Sequence, residues 1–272
     1  MIKILNWLFW FVLIQPTTSE KDMVFVPEGI FWMGCNAELP YCASEWSPLH
    51  QVNVASFWID VYEVTVLEYA SCVESGVCSE PNVTSDECNN VVVDERRADT
   101  NNWISRAQRT NHPINCVDWH QAKMYCEWVG KRLPTEAEWE KAARGIDGRT
   151  YPWGNEPSDC NYAVTRTIEE GSGCGQNLTW PVGSKIDGAS IYGTLDMAGN
   201  VAEWTADWYD AVYYYKGHSD NPSGPEKGKA RVARGGMFYS SQSQVQSFAR
   251  LAFPPDKSAK AIGFRCAKST HE

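Results

Sequence analysis

The apolar positions of this chain fall in short runs, not in long periodic stretches. Met23-Val24-Phe25-Val26, then Pro27-Glu28-Gly29, then Phe31-Trp32-Met33-Gly34 predict two short strands around a turn. From Gln51 to Glu63 apolar residues return at Val52, Val54, Phe57, Ile59 and Val61, which predicts strand again. Three helix starts are marked by Thr65 with Glu68, Asp118 with Gln121, and Thr135 with Glu138. Each pair offers an N-cap oxygen and an N3 side chain that reaches back, satisfying backbone donors the first turn leaves unpaired. Gly76, Gly130 and Gly145 are suited to stop these helices. Beyond Gly145, turn residues punctuate the chain from Asp147-Gly148 through Trp153-Gly154-Asn155-Glu156-Pro157 to Asn221-Pro222-Ser223-Gly224-Pro225, so regular structure is predicted to be sparse. There is no flexible linker, fixed-period repeat or low-complexity tract, which predicts a single α+β unit over residues 22–269.

The N-terminus has one basic residue, Lys3, an apolar run from Ile4 to Leu13, and a small polar exit at Thr17-Thr18-Ser19. That order predicts a signal peptide over residues 1–19. The run is well short of the ~20 residues that span a bilayer, and no cysteine stands near the exit to carry a lipid. The expectation is export to a periplasm or the exterior, with no stable membrane insertion after cleavage.

Thirteen tryptophans among 272 residues suggest a loop-rich fold in which flat side chains peg irregular backbone to the core. A net charge of −10 argues against a nucleic-acid partner, which needs a basic face. The ten cysteines are even in number, form no Cys-x-x-Cys pair and show no zinc-finger spacing with histidine. In an exported chain they predict disulfides. Short spacing nominates Cys35–Cys42, Cys72–Cys78 and Cys160–Cys174.

Few residues advertise catalysis. Glu127, Lys131 and Arg132 read as a solvated helix end, and Glu136, Glu138 and Glu140 as acids favoured by the helix dipole. Histidines 50, 112, 120, 218 and 271 are scattered, and no nucleophile elbow, phosphate loop or dinucleotide fingerprint occurs. Glycosylation sequons stand at Asn82 and Asn177. Asp196 and Glu203 flank Gly199-Asn200-Val201, and carboxylates with backbone carbonyls are the hard oxygens calcium takes. The alternative is a tight turn capped by Asp196 without metal.

Four blocks occur in order: Gly130-Lys131-Arg132-Leu133-Pro134-Thr135-Glu136-Ala137-Glu138-Trp139-Glu140, Asp196-Met197-Ala198-Gly199-Asn200-Val201-Ala202-Glu203-Trp204, Arg234-Gly235-Gly236, and Gly263-Phe264-Arg265-Cys266. Together they resemble the sulfatase-modifying-factor family, whose founding activity is formylglycine generation. The resemblance covers nearly the whole chain and implies the formylglycine-generating-enzyme (C-type-lectin-like) fold, low in regular secondary structure. It implies that Cys126 bonds Cys266, which leaves Cys88–Cys116 by elimination. It also implies calcium on the Asp196 and Glu203 side chains and the Gly199 and Val201 carbonyls. A weaker second site would begin at Asn161-Tyr162, but the downstream region Gly171-Ser172-Gly173-Cys174-Gly175 has no acid in register. Glu169 and Glu170 are misplaced for it, so the Cys160–Cys174 staple, worth ~3 kcal/mol of loop entropy, is expected to replace a metal.

Catalytic members of this family carry a serine and two copper-binding cysteines after the paired glycines. The matching positions here are Met237, Ser240 and Val245. Copper(I) is soft and prefers thiolate, which neither Ser240 nor Val245 supplies. Ser240 as a nucleophile would need a positioned base that the sequence does not reveal. The expectation is a calcium-supported, copper-free pseudoenzyme that binds an extended peptide or an envelope or extracellular protein. The alternative is an enzyme, either a sulfatase activator by an unconventional route or an oxidoreductase of another substrate.

Overall fold

The computed structural model describes residues 23–39, 41–85, 87–88 and 101–270, so the expected signal peptide and His271 lie outside the described residues. Strands β1 (Met23–Val26) and β2 (Gly29–Met33) flank the predicted turn but do not pair with each other. Instead β2 pairs antiparallel with β3 (His50–Val54), and β1 pairs with β4 (Phe57–Asp60). The stretch from Gln51 that looked like one strand is therefore two. Its buried positions are even-numbered at Val52 and Val54 and odd-numbered at Phe57 and Ile59. A side-chain period of two cannot change phase within one strand, so the chain must break at Ala55-Ser56.

Helices α1 (Val66–Glu74), α2 (Trp119–Trp128) and α3 (Glu136–Arg144) begin at the three predicted caps, and all three capping boxes close in both directions. At α2, for example, Asp118 Oδ1 accepts from the Gln121 amide at 2.8 Å while Gln121 Oε1 accepts from the Asp118 amide at 3.0 Å. Beyond Gly145 the described residues form three single-turn 3-10 helices and short strands: β5 (Ala202–Trp208), β6 (Arg231–Arg234), β7 (Arg250–Phe253), β8 (Ile262–Gly263) and β9 (Ala267–Ser269). Four of them make a sheet in the order β7-β6-β5-β8, and β9 completes a second sheet as β1-β4-β9. Strand β5 is central and buries Ala202, Glu203, Trp204 and Thr205 in succession, leaving no solvated face there.

All nine residues of α3 are buried although five are charged. Glu136 accepts from Arg250 at 2.7 and 2.9 Å and from Arg234 at 2.9 Å. Glu140 binds Arg234 at 2.6 Å, Arg144 at 2.9 Å and the Gly34 amide at 2.8 Å. Lys141 donates to the carbonyls of Pro27, Gly29 and Val54, and burial pushes its ammonium down to about 8. Glu138 holds Arg132 through two bonds of 2.6 and 2.7 Å. Two readings of the sequence change accordingly. The α3 acids are buried ion-pair partners, not solvated groups that merely suit a dipole. Lys131 is not part of a solvated helix end either, because it pairs at 2.5 Å with the largely enclosed Asp60, and both side chains are mostly shielded from solvent. Glu127 does stay exposed, paired with Lys123.

All ten cysteines are bridged in the expected pairs. Cys126–Cys266 joins α2 to the residue preceding β9 across 140 positions, with the Cα atoms 5.6 Å apart.

Removing one member of a buried ion cluster leaves the others uncompensated. Glu136→Ala should therefore lower the unfolding free energy by about 3–5 kcal/mol in a denaturant titration. A loss within the ~0.5 kcal/mol of an ordinary surface change would contradict this account.

His112 supplies a pH test. Its Nδ1 lies 3.0 Å from Thr179 Oγ1, and burial, helped by the charge of Arg109, lowers its pKa to about 4. Between that value and the ~6.5 of an unfolded histidine, the unfolded chain takes up a proton that the folded chain refuses. Stability from this site is therefore complete above pH 6.5 and declines as pH falls toward 4. Across that window the wild type should lose stability relative to His112→Gln, and a pH-independent difference would argue otherwise.

Candidate functional site

Strand β6 ends at Arg234 and enters a turn through Gly235 and Gly236, at φ 88° and 77°. A Cβ on Gly236 would stand 2.8 Å from both the Gln244 carbonyl oxygen and Val245 Cγ1, so only glycine fits this close approach. The turn then closes on itself. The Ser240 amide donates to the Met237 carbonyl at 2.8 Å, and the Met237 amide donates to Ser240 Oγ at 3.0 Å. The Ser240 hydroxyl oxygen thus serves as an acceptor inside its own turn. Val245 is fully buried against Tyr151, Ala163 and Ala198, and Met237 is buried too. These three positions are brought together, but no thiolate is among them, and every cysteine is in a disulfide.

Beside this turn lies an open cleft of about 640 Å³, which the sequence did not announce. One wall comes from residues 166–169 and Gly171, another from Tyr239, Ser241, Gln242 and Gln244, and Ser158 and Asp159 complete it. The Ser158 hydroxyl is buried with no hydrogen-bond partner among the described residues. Ile168 stands at the rim, 99% exposed. Three stacked rings flank the sealed Val245 pocket: Tyr151 on Trp153 and Trp153 on Tyr162, each pair with centroids 5.0 Å apart and nearly parallel planes.

A second constellation is built on acids. Asp196 sits in the left-handed region at φ 58°, its Oδ2 accepting from the Gly183 amide at 2.5 Å. Glu203, fully buried on β5, accepts from Arg265 at 2.7 Å on each oxygen and from Trp139 Nε1 at 2.8 Å. Gly199 is pressed so close to the Val164 carbonyl that a Cβ would lie 2.3 Å from its oxygen. The carbonyls of Gly199 and Val201 accept no hydrogen bond among the described residues.

Glu63, not anticipated as a site residue, joins this cluster. It is buried, and neither carboxylate oxygen has a hydrogen-bond partner among the described residues. Burial, and then the charges of Asp196 and Glu203, hold its pKa well above the usual range. Burial raises Asp196 as well, against the Gly183 amide. Ionised, three carboxylates facing the single guanidinium of Arg265 would leave two negative charges uncompensated in the interior, which a divalent cation would balance. The donors here are all oxygen, the chemistry calcium takes, but the Glu63, Asp196 and Glu203 carboxylates do not gather within 4.8 Å of one another, so a cation would have to draw them together. A signal for Glu63 existed, since it continues the odd-numbered series of buried Phe57 and Ile59 and half-buried Val61 as a carboxylate on the inward side.

Asn161 and Tyr162 are placed differently. Asn161 is exposed and bonds Asp159 through its amide and side chain, while Tyr162 is taken up in the ring stack. Lys185 donates to the adjacent Cys160 carbonyl and lies 4.2 Å above the Trp180 ring, so an ammonium group supplies positive charge beside this loop.

Comparison with known proteins gives a consistent result. Residues 12–270 match the sulfatase-modifying factor enzyme 1-like domain. The formylglycine-generating enzyme of Streptomyces coelicolor is 35% identical over 288 residues, covering 92% of this chain and 90% of that protein. The inactive C-alpha-formylglycine-generating enzyme 2 of Bos taurus is 31% identical over 283 residues, covering 90% and 87%. Among solved structures, PvdO from Pseudomonas aeruginosa superposes with a TM-score of 0.74 at 30% identity, covering 91% of this chain and 94% of that one.

An ion that binds only the folded state raises stability by about 2.7 kcal/mol at a hundredfold excess over Kd. Calcium should raise the melting temperature of the chelator-treated protein, and Glu63→Gln should remove most of that rise. An unchanged melting temperature on calcium titration would refute the site.

Proposed function

Because the chain belongs to the sulfatase-modifying factor family, we propose that it is a calcium-supported binding domain that keeps the family fold without copper-dependent formylglycine generation. One observation carries this reading: where catalytic relatives need two thiolates, Ser240 turns its hydroxyl into its own turn and Val245 is sealed in an apolar cluster. The residues present do not fit copper. Five disulfides and no free cysteine among the described residues support an oxidising compartment, in keeping with the expected export.

The cleft beside the turn is the surface we assign to binding. It offers hydroxyl and amide groups from Ser241, Gln242 and Gln244 and a wholly exposed Ile168, with carboxylates and a guanidinium at its margins. Such a mixture suits an extended peptide segment of an exported protein, whose backbone needs donors and acceptors along its length. The Gly199 amide bonds the Gly235 carbonyl at 2.8 Å and the Phe238 amide bonds the Asn200 carbonyl at 2.9 Å, so the segment with the candidate calcium ligands is tied to the turn. A bound cation would therefore stiffen the turn from below.

The test is direct. Wild-type protein should neither bind copper(I) tightly nor form aldehyde on a Cys-x-Pro-x-Arg peptide. The double change Ser240→Cys with Val245→Cys should introduce tight copper(I) binding, measured by chelator competition. Turnover should stay poor because Met237 still replaces the serine and catalytic geometry tolerates little misplacement. Aldehyde formation by wild type, surviving Ser240→Ala, would overturn the reading.

A further inference from the structure

Of the five bridges, Cys160–Cys174 differs in its setting. Each of the other four has at least one fully buried cysteine, whereas both residues here are only half-buried. A carboxylate oxygen of Glu170 and the two Sγ atoms all lie within 4.8 Å of one another. Cys160 and Glu170 border a small cavity of about 210 Å³, to which Asp159, Asn161, Thr167 and Glu169 also contribute.

The frame around the bridge does not depend on the sulfur–sulfur bond. The Cys174 amide donates to the Thr165 carbonyl at 3.1 Å, and the neighbouring Gly173 amide donates to the Phe238 carbonyl at 2.6 Å. On the other side the Ala163 amide bonds the Asp159 carbonyl at 3.0 Å, while Lys185 grips the Cys160 carbonyl. With the bridge opened, these bonds would still hold the two Cα atoms near their present 5.7 Å. Tetrahedral zinc takes thiolate at ~2.3 Å, which sets two sulfurs about 3.8 Å apart, and carboxylate oxygen at ~2.0–2.2 Å. Side-chain rotation alone covers the difference.

We propose that Cys160, Cys174 and Glu170 form a zinc site that exists only when this bridge is reduced, its fourth position open to water from the cavity. A dithiol reductant supplies two electrons and two protons. The disulfide becomes two thiols and the reductant becomes a cyclic disulfide. Zinc then binds both sulfurs and the Glu170 carboxylate, releasing the two thiol protons. The loop thus has two closed forms, one covalent and one metal-bound, and the assignment is independent of the binding function proposed above.

The experiment uses the full exported chain in saturating calcium, which keeps oxygen-only sites occupied. A limited dithiol treatment is stopped when two thiols titrate per chain, and zinc alone is then titrated against a chromophoric chelator. Reduced protein should bind one zinc that the oxidised protein does not, and zinc should protect Cys160 and Cys174 from alkylation in peptide maps. Glu170 is exposed, so Glu170→Gln should fold normally, yet it should weaken the site by at least about tenfold. Cys174→Ser should abolish it. Reduced protein that gains no zinc, thiols that map to another bridge, or a Glu170→Gln variant with unchanged affinity would each overturn the proposal.

Discussion

The structure depends on a helix whose charges have nowhere to go but inward. Helix α3 is enclosed on every side, and Glu136, Glu138, Glu140, Lys141 and Arg144 must each meet a partner there. An unpaired charge in such a place costs several kcal/mol, so the pairing constrains everything around it. Arg234 and Arg250 fix the ends of β6 and β7 against the helix, Glu140 and Arg144 clamp Gly34, and Lys141 collects three carbonyls from the segments around β2 and β3. Sheets that share no strand are aligned through one helix. Hydrophobic burial supplies much of the stabilisation, but it is not directional. The ion pairs supply direction.

The same helix reaches the acid cluster. Trp139 is fully buried and donates to Glu203, which Arg265 also holds on both oxygens. Arg265 in turn donates to the carbonyls of Asp60, Val61 and Leu195. The acids beside Gly199 are therefore oriented by groups that also join β4 to the chain before β5. One side of the cluster is preorganised by this framework, and on the other the Glu63 carboxylate has no hydrogen-bond partner among the described residues.

Much of this was legible before any coordinates. The three capping boxes follow from local spacing and need no tertiary information, so they appear where read. The disulfides with short spacing were equally local. What sequence alone could not supply was the sign of an environment. Glu136 opens the helix and Glu140 lies one turn on, where acids are ordinarily solvated, and only the arrival of Arg234 and Arg250 from about 100 residues away makes them interior groups. The cleft was hidden for a related reason: its walls come from residues near 158, 168 and 242, which nothing local brings together. Glu63 was a different kind of omission. It keeps the inward phase of Phe57 and Ile59, but as a carboxylate it falls outside any apolar pattern.

One wall of the cleft carries a consequence for how this surface can diversify. Arg166, Thr167, Ile168, Glu169 and Gly171 all lie inside the single interval closed by Cys160 and Cys174. That interval leaves the body of the protein and returns to it at almost the same point. Its tip contributes Ile168, Glu169 and Glu170 to solvent and nothing to the core. Changes of sequence or length at the tip would be absorbed locally, because the covalent closure isolates them from the helix and sheets beneath. This wall of the cleft can thus be rewritten as a cassette while the interior, bound by its charges, stays conservative.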